Sequence, residues 1–160
     1  MLLQACCGPC ACRQEAFADY DVTIFFCGNN FDSSQEYSRR LEALKIVNEK
    51  LYGGKKAIVI PYNPQIFDTC EDCIRERLQQ CATAAKEHGF DCFSTTLTVS
   101  PHKNTALVNK IGSDVAKDVG VPFIEMNLKK SGGFYKTVEI SKQLGLYRQN
   151  YCGCAKSVRN

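Results

Sequence analysis

The sequence lacks the long apolar runs of membrane-spanning and exported proteins. None of its stretches approaches the roughly 20 consecutive apolar residues of a transmembrane helix. The opening apolar run is interrupted almost at once by Gln4 and a group of cysteines, so the hydrophobic region of a signal peptide does not fit there. We therefore expect a cytoplasmic protein that makes no membrane contact.

Glycine-rich phosphate-binding loops are also missing. The sequence contains neither a Walker A motif nor GxGxxG. An ATP-using enzyme of related topology would carry a loop such as SGGxDS after its first strand, whereas this chain has cysteines there. Gly132 and Gly133 follow the last predicted strand, but two glycines alone indicate only a turn. These absences argue against an enzyme that consumes ATP.

Charge of neither sign dominates the sequence. The net charge of +3 is only mildly basic, and the basic residues are scattered in small groups. Such residues usually form a solvated surface, but they could hold a phosphate backbone if the fold brings several of them together. With 160 residues and 44% apolar composition, the sequence predicts a single domain, 1–160, that can bury a core without disulfide bonds.

Cysteine is the residue that the sequence has in excess. It occurs 11 times, and the segment CCGPCAC at 6–12 holds four of these residues. In a reducing cytosol, clustered cysteines are more typical of metal ligands or redox groups than of structural disulfide bonds.

Strand patterns alternate with helical patterns along the chain. β-branched and aromatic residues predict strands at 2–6, 22–27, 57–62, 92–97 and 122–126. Apolar residues at steps of three and four predict helices at 35–51, 70–87, about 104–119 and about 134–144. This alternation predicts an α/β fold, a Rossmann-like domain with a parallel sheet that binds its ligand beyond the carboxyl ends of the strands. The loops expected on that side are 6–12, 27–32, 94–104 and 126–133.

A second group of cysteines opens a predicted helix. Cys70 and Cys73 form CEDC, and the spacing of Asp68 and Glu71 is typical of a helix N-terminus. The two thiols would share one face of the first turn, where backbone N–H groups and the helix dipole favour thiolate. Taken alone, this pair fits a redox dithiol, half of a zinc site or chance.

A third group, Cys152 and Cys154, flanks Gly153 near the end of the chain. The single glycine allows a tight turn that directs both sulfurs at one centre. It equally allows a strained, easily reduced disulfide bond.

The three groups together are more specific than any one of them. With Cys6, Cys7 and Cys10 they provide seven thiols, whereas a [4Fe–4S] cluster or a structural zinc site needs only four. The surplus suggests a cluster beside a second metal, or a cluster beside a redox dithiol. The remaining cysteines are expected in the core, where free cysteine is common: Cys12, Cys27, Cys81 and Cys92.

Several motifs resemble those of one known family. In chain order they are LLQACCGPC, EYSRRLEALK, CEDCIRERL, GFDCFSTTLTVSPHKN and GGFYKTVEISKQLGLYRQNYCGC. They resemble the motifs of the epoxyqueuosine reductase QueH family over nearly the whole chain, from Leu2 to Cys154. The block from Ser94 to Asn104 and the ending GLYRQNYCGC are the most specific parts of the resemblance.

The resemblance implies a fold, an activity and a substrate. The fold would be of the adenine-nucleotide-α-hydrolase (HUP) type, with the nucleotide loop replaced by cysteines. The activity would be the last step of queuosine biosynthesis, the two-electron reduction of epoxyqueuosine to queuosine with loss of the epoxide oxygen and without cobalamin. The substrates would be tRNAs with a GUN anticodon, and an electron donor, which the sequence does not identify, would be a further partner.

The resemblance also implies cofactors and their ligands. The ligands of a [4Fe–4S] cluster would be Cys6, Cys7, Cys70 and Cys73. Cys152 and Cys154 would form a redox-active disulfide, or they would ligate an adjacent mononuclear iron together with Cys10. Relatives usually have a longer loop between the third strand and the CxxC helix, where this chain has only NPQIFDTC, 63–70.

Other residues are candidates for contact with tRNA. Aromatic side chains can stack on an unpaired loop base, and the candidates near the last cysteines are Tyr151, Tyr135, Phe134 and Tyr147. Core packing is the alternative role for these aromatic residues. The candidates for phosphate contact are His102, Lys103, Arg75 and Arg148. His102 could also donate a proton near neutral pH, and a histidine that caps a loop fits the pattern equally well.

Two other functions fit parts of the pattern. A zinc-stabilised tRNA-binding module without redox activity would use the thiols structurally. A tRNA sulfur-transfer enzyme would use them chemically, but it should bind ATP, and the phosphate loop is missing.

Overall fold

The computed structural model of the protein describes residues 1–158, so the predicted domain is covered except for residues 159–160. The strands are β1 (Leu2–Ala5), β2 (Thr23–Cys27), β3 (Ile58–Ile60) and β4 (Phe93–Thr95). The α-helices are α1 (Ser34–Leu51), α2 (Cys70–Glu87), α3 (Thr105–Val119) and α4 (Gly133–Gln143). All strands are parallel, and they lie side by side in the order β3-β2-β1-β4.

Alternation along the strands divides the core between the two faces of the sheet. Leu3 and Phe26 pack on one face with the apolar residues of α1 and α4. Leu2, Phe25 and Phe93 pack on the other face with those of α2 and α3. Because successive side chains point to opposite faces, strands covered on both faces are mostly apolar. The buried polar exceptions in β1 and β4 satisfy one another in part, since the Thr95 hydroxyl donates to the Gln4 side chain at 2.6 Å. Each fully buried Leu or Phe stabilises the fold by roughly 1.5–3 kcal/mol.

The predicted α/β class with a parallel sheet is confirmed, and each predicted helix is present within one residue of its expected bounds. No helix within residues 1–158 combines the length and the apolar character needed to cross a membrane.

The fifth predicted strand, 122–126, is wrong as a strand. Its pairing with β4 is limited to a single bridge between Phe93 and Phe123. The Ser94 hydroxyl donates to the Ile124 carbonyl at 2.8 Å and so occupies the acceptor that the next ladder bond would use. Beyond β4 the chain turns into a short 3₁₀ helix, Leu97–Val99, so no strand continues there to extend the ladder.

The order of the strands creates a crevice at the carboxyl ends of the strands. From β1 the chain progresses outward through β2 to β3, and it then returns to the opposite side of β1 to form β4. Ligands of open parallel sheets bind where the direction of winding reverses, beyond the carboxyl ends of the strands. Here that point lies between β1 and β4, and the cysteine-rich segment 6–12 follows β1 directly.

The N-cap of α2 differs from the prediction. The sequence pattern indicated Asp68, but the cap is Thr69, whose hydroxyl accepts a hydrogen bond from the Asp72 N–H at 3.1 Å. The same hydroxyl donates to the Asp72 carboxylate at 2.6 Å. Thr69 therefore fixes the first turn of the helix that carries Cys70 and Cys73.

Replacing Thr69 by alanine should lower the free energy of unfolding by about 1 kcal/mol, because an N–H at the helix start loses its partner. For a chain of this size that is a fall of roughly 2–4 °C in the melting temperature. Asp68→Ala is the control and should leave the melting temperature unchanged. An equal or larger loss for Asp68→Ala would contradict the assignment of the cap.

Candidate metal centre

Three thiols converge where β1 ends. The sulfur atoms of Cys6, Cys7 and Cys10 all lie within 4.8 Å of one another. Pro9 begins a 3₁₀ turn, Pro9–Ala11, that brings Cys10 back, so that its N–H donates to the Cys7 sulfur at 3.3 Å. Gly8 permits this loop to lie against α1, because a Cβ at that position would approach the backbone of Ala43 to 2.8 Å. The sequence therefore shapes the loop so that its thiols face one point.

The three thiols differ in their affinity for protons. Hydrogen bonds from the thiols of Cys10 and Cys7, with help from the charges of Arg77 and Arg40, hold the pKa of Cys6 well below its usual range. Burial raises the pKa of Cys7. Hydrogen bonding to Cys6 and then to Cys7, together with burial, raises the pKa of Cys10. The three thiols therefore titrate as one coupled group, in which Cys6 is the most acidic member.

This donor set fits a thiolate-bound metal. Cysteine sulfur is a soft ligand that selects zinc, copper(I) and iron–sulfur centres. The Cys6 and Cys7 sulfurs are 4.0 Å apart, close enough for both to bind one metal or one cluster. A backbone N–H pointing at a sulfur, as that of Cys10 does, is the kind of outer contact that orients and tunes a thiolate ligand. Cys6, Cys7 and Cys10 can therefore supply three of the ligands of a metal centre.

The CxxC pair is divided between solvent and core. Cys70 is exposed, whereas Cys73 is 8% exposed. The helix start was expected to favour thiolate, but at Cys73 burial raises the pKa more than the charge of Arg77 lowers it. Cys152 and Cys154 also act on Cys73 electrostatically, so the C-terminal cysteines lie near it. All 11 cysteines are free thiols.

The convergence of Cys10 with Cys6 and Cys7 bears on the implied ligand sets. The resemblance assigns Cys6 and Cys7 to the cluster and Cys10 to a second iron, but the structure places all three in one group. The division of ligands between a cluster and an adjacent iron stays a prediction.

A buried ion pair holds the loop that carries Cys152. Arg40 is 1% exposed, and its Nε donates to the Glu36 carboxylate at 2.6 Å. Its two terminal nitrogens donate to the carbonyls of Cys152 at 3.0 Å and Tyr151 at 3.1 Å. Gly153 adopts φ of +122°, which glycine alone tolerates easily, and a Cβ there would approach the Phe31 ring to 2.4 Å. Arg40 therefore ties the C-terminal loop to α1.

A cavity of about 630 Å³ opens beside the thiols. Its cysteines are Cys6, Cys10 and Cys152. Its basic side chains are Arg40, His102, Lys103, Arg148 and Lys156. Its aromatic side chains are Phe134 and Tyr151. The scattered basic residues of the sequence are thus partly gathered around the candidate metal centre.

The structure separates the predicted substrate contacts into two sets. Those that line the cavity are His102, Lys103, Arg148, Tyr151 and Phe134. The others, which are not among the described residues of its wall, are Arg75, Tyr135 and Tyr147. Tyr135 is 76% exposed, Arg75 is exposed on α2, and the Tyr147 hydroxyl donates to Glu36 at 2.8 Å. Tyr151 also donates its hydroxyl to Asp32 at 3.0 Å, which fixes its ring at the cavity wall.

Sequence reasoning missed the two buried arginines. Arg40 lies on the apolar face of α1, three residues before Ala43, and Arg77 lies on the apolar face of α2 between Ile74 and Leu78. A cation at a position where the helical pattern calls for an apolar side chain was the available signal. Burial lowers the pKa of Arg77, but the nearby Cys73, Cys152 and Cys6 raise it by more, so its guanidinium stays charged.

The cysteines expected in the core are all buried: Cys12, Cys27, Cys81 and Cys92. Cys27, at the end of β2, donates its thiol to the Gln80 side chain at 3.1 Å. Burial raises the pKa of Cys12 to about 11. Burial also raises the pKa of Cys27, Cys81 and Cys92.

Replacing Arg40 by glutamine should destabilise the protein by about 3–5 kcal/mol, because Glu36 is left as a buried charge without its partner. Chemical denaturation measures this loss. Lys45→Gln, which breaks an exposed pair with Glu42, is the control and should cost less than about 1 kcal/mol. Similar losses for both variants would contradict the role given to the buried pair.

Comparison with known proteins places this fold and site in a family. The family model for the epoxyqueuosine reductase QueH matches residues 1–160. The chain is 34% identical to the epoxyqueuosine reductase QueH of Staphylococcus aureus, covering 96% of this chain and 73% of that protein. It is 34% identical to that of Thermotoga maritima, over 99% of this chain and 90% of the relative. It is 30% identical to that of Streptococcus pyogenes, over 99% and 70%.

The alignments with the Thermotoga and Streptococcus proteins extend over 173 and 182 positions, although this chain has 160 residues. These relatives therefore contain residues that have no counterpart here, and their location before Cys70 stays a prediction. Whole-chain agreement with the family model, together with identity of 30% or more over most of each relative, is sufficient for assignment. The chain belongs to the epoxyqueuosine reductase QueH family.

Proposed function

We propose that the chain is an oxidoreductase that reduces epoxyqueuosine to queuosine in tRNA, at a thiolate-bound iron–sulfur centre. The observation that carries this proposal is the group formed by Cys6, Cys7 and Cys10 at the edge of a large basic cavity. The relatives of this chain are named epoxyqueuosine reductases. A redox centre beside a cavity with nucleic-acid-binding character is the arrangement that this reaction needs.

The wall of the cavity suits an anticodon loop. Lys103, Arg148 and Lys156 would contact phosphates and position the strand. An unpaired loop base can leave its stack and lie against an aromatic ring, and Tyr151, fixed by Asp32, offers such a ring beside Cys152. A tRNA with a GUN anticodon is the substrate that the resemblance supplies, and such a substrate is found in the cytoplasm.

The thiols would hold a [4Fe–4S] cluster, and the second metal implied by the resemblance would take the remaining cysteines. Cys6, Cys7, Cys70 and Cys73 are the proposed cluster ligands, although Cys70 is exposed and Cys10 lies closer to the first two. When bound, such a cluster supplies electrons one at a time. Cys152 and Cys154 provide either a second redox couple or ligands to an adjacent iron. An external electron donor restores the centre after each turnover.

The stoichiometry of the reaction defines what the residues of the cavity must do. Two electrons and two protons convert the epoxide into a carbon–carbon double bond and water. The protein must exclude bulk solvent from the reacting carbons and deliver protons to the leaving oxygen. His102 lies at the cavity wall and is exposed, so it can exchange protons with solvent and donate to that oxygen.

Replacing Cys6 by serine should abolish the visible absorbance of the anaerobically purified protein and its conversion of epoxyqueuosine in tRNA. The cause is loss of a soft ligand at the point where the three thiols meet. The visible spectrum, with iron, acid-labile sulfide and zinc analysis, shows whether the centre is present. Nucleoside analysis of treated tRNA measures the conversion.

Cys92→Ser is the matched control, because Cys92 is buried at the opposite edge of the sheet, just before β4. It should keep both the absorbance and the turnover. Zinc without sulfide in protein never exposed to air would contradict the proposal and favour the zinc-stabilised tRNA-binding module.

Replacing His102 by glutamine should lower the turnover rate by about 10²-fold, the lower end of general acid catalysis, with iron content unchanged. Single-turnover rates on saturating tRNA measure the effect. His88, the other histidine of the chain, is exposed at the C-cap of α2 and serves as the control in the variant His88→Gln. Equal rates for both variants would exclude His102 as the proton donor.

A further inference from the structure

Arg77 is a fully buried cation whose terminal nitrogens have no partner within residues 1–158. Its relative exposure is 0%, and its Nε donates to the Cys73 carbonyl of the same helix at 3.4 Å. Its Nη1 and Nη2 are buried and donate to no described residue. No ion pair in that part of the chain includes Arg77. Because a buried charge without compensation is strongly destabilising, these free N–H groups point to an anion that binds there.

The ionisable groups near Arg77 that could compensate its charge are cysteines. They are Cys73, Cys152, Cys6 and Cys27. The thiol of Cys27 is already used in its hydrogen bond to Gln80. The remaining three belong one to each cysteine group of the sequence, so Arg77 lies where the three groups approach one another.

Arg77 is not exposed to the cavity. The described wall of the cavity includes Arg40 but not Arg77, so a tRNA substrate in the cavity would not contact it. The two buried arginines also differ in their partners, because Arg40 forms an ion pair with Glu36 and donates to the C-terminal loop. The charge of Arg40 is thus compensated by a carboxylate, whereas that of Arg77 requires the cysteine sulfurs.

We propose that Arg77 is the counter-charge of the thiolate-bound metal centre, and that its free N–H groups donate to the ligand sulfurs and raise the reduction potential of the centre. This inference rests on the proposed function. Reduction adds negative charge, and a buried cation a short distance away stabilises that charge. Hydrogen bonds to sulfur act in the same direction. Arg77 is therefore a positioning residue that acts through the centre and does not touch the substrate.

The test compares reduction potentials of protein reconstituted anaerobically with ferrous iron and sulfide. Arg77→Met removes the charge and keeps the volume, whereas Arg77→Lys keeps the charge and loses the planar fork of donors. We expect at least a tenfold loss in the reduction equilibrium constant for the methionine variant, a shift of about 59 mV for one electron. The lysine variant should shift less. Arg75→Met, exposed on the same helix, is the control for potential and iron content and should change neither.

A second measurement separates this role from a purely structural one. Methionine in place of an unpaired buried cation should leave chelator-stripped protein as stable as before, or more stable. The same variant should lose part of the stabilisation that bound iron and sulfide confer, and it should release iron faster to a chelator. If Arg77→Met fails to assemble the centre and Arg77→Lys restores it, the proposal is likewise supported.

Two results would overturn the inference. If the methionine variant assembles a centre with unchanged potential and unchanged iron release, Arg77 is not the counter-charge, and the proposed function is unaffected. If the unsubstituted chain takes up no iron–sulfur centre under the same conditions, the proposed function fails and this inference fails with it.

Discussion

The parallel order β3-β2-β1-β4 is the constraint on which the rest of the structure depends. Because every strand points the same way, all carboxyl ends meet at one edge, and the reversal of winding beside β1 leaves a crevice there. The segment 6–12 emerges at that crevice. Cys73 on α2 and Cys152 in the C-terminal loop are far apart in the chain, yet they lie near each other in the fold. Without this topology the cysteines would be three unrelated groups.

Electrostatics at this edge is set by two buried arginines and several thiols. A protein interior tolerates a guanidinium only with a partner of opposite charge. Arg40 has a carboxylate and holds backbone carbonyls of the C-terminal loop, so its task is structural and its position at the cavity wall is fixed. Arg77 has no carboxylate partner among the described residues, and we propose that its charge serves the metal centre. The same residue type therefore serves two purposes because its partners differ.

The proposed function places two requirements on the cavity that usually exclude each other. A redox centre must be shielded from water and oxygen, whereas an RNA loop needs an open, basic surface. Here the buried Cys6 and the exposed residues His102 and Arg148 line the same cavity. The Arg40 guanidinium donates to the carbonyls of Tyr151 and Cys152 and so holds their loop at the cavity wall. Under the proposed function, a base that enters the cavity would find the Cys6 thiol and these basic residues in one wall.

Local patterns in the sequence were sufficient for the helices, the parallel sheet, the core cysteines and the family. Apolar periodicity and turn residues act over a few positions, and they determine which segments become helices or strands. Two predictions from local patterns were wrong. Segment 122–126 has the composition of a strand, but Ser94 occupies the acceptor that it would need. Asp68 looks like a cap, but the backbone presents Thr69 instead. By itself the sequence determined the fold class and the set of thiols. Only the tertiary structure decided which thiols meet, which basic residues share the cavity, and that Arg77 is buried without a carboxylate, because those facts depend on how distant elements pack.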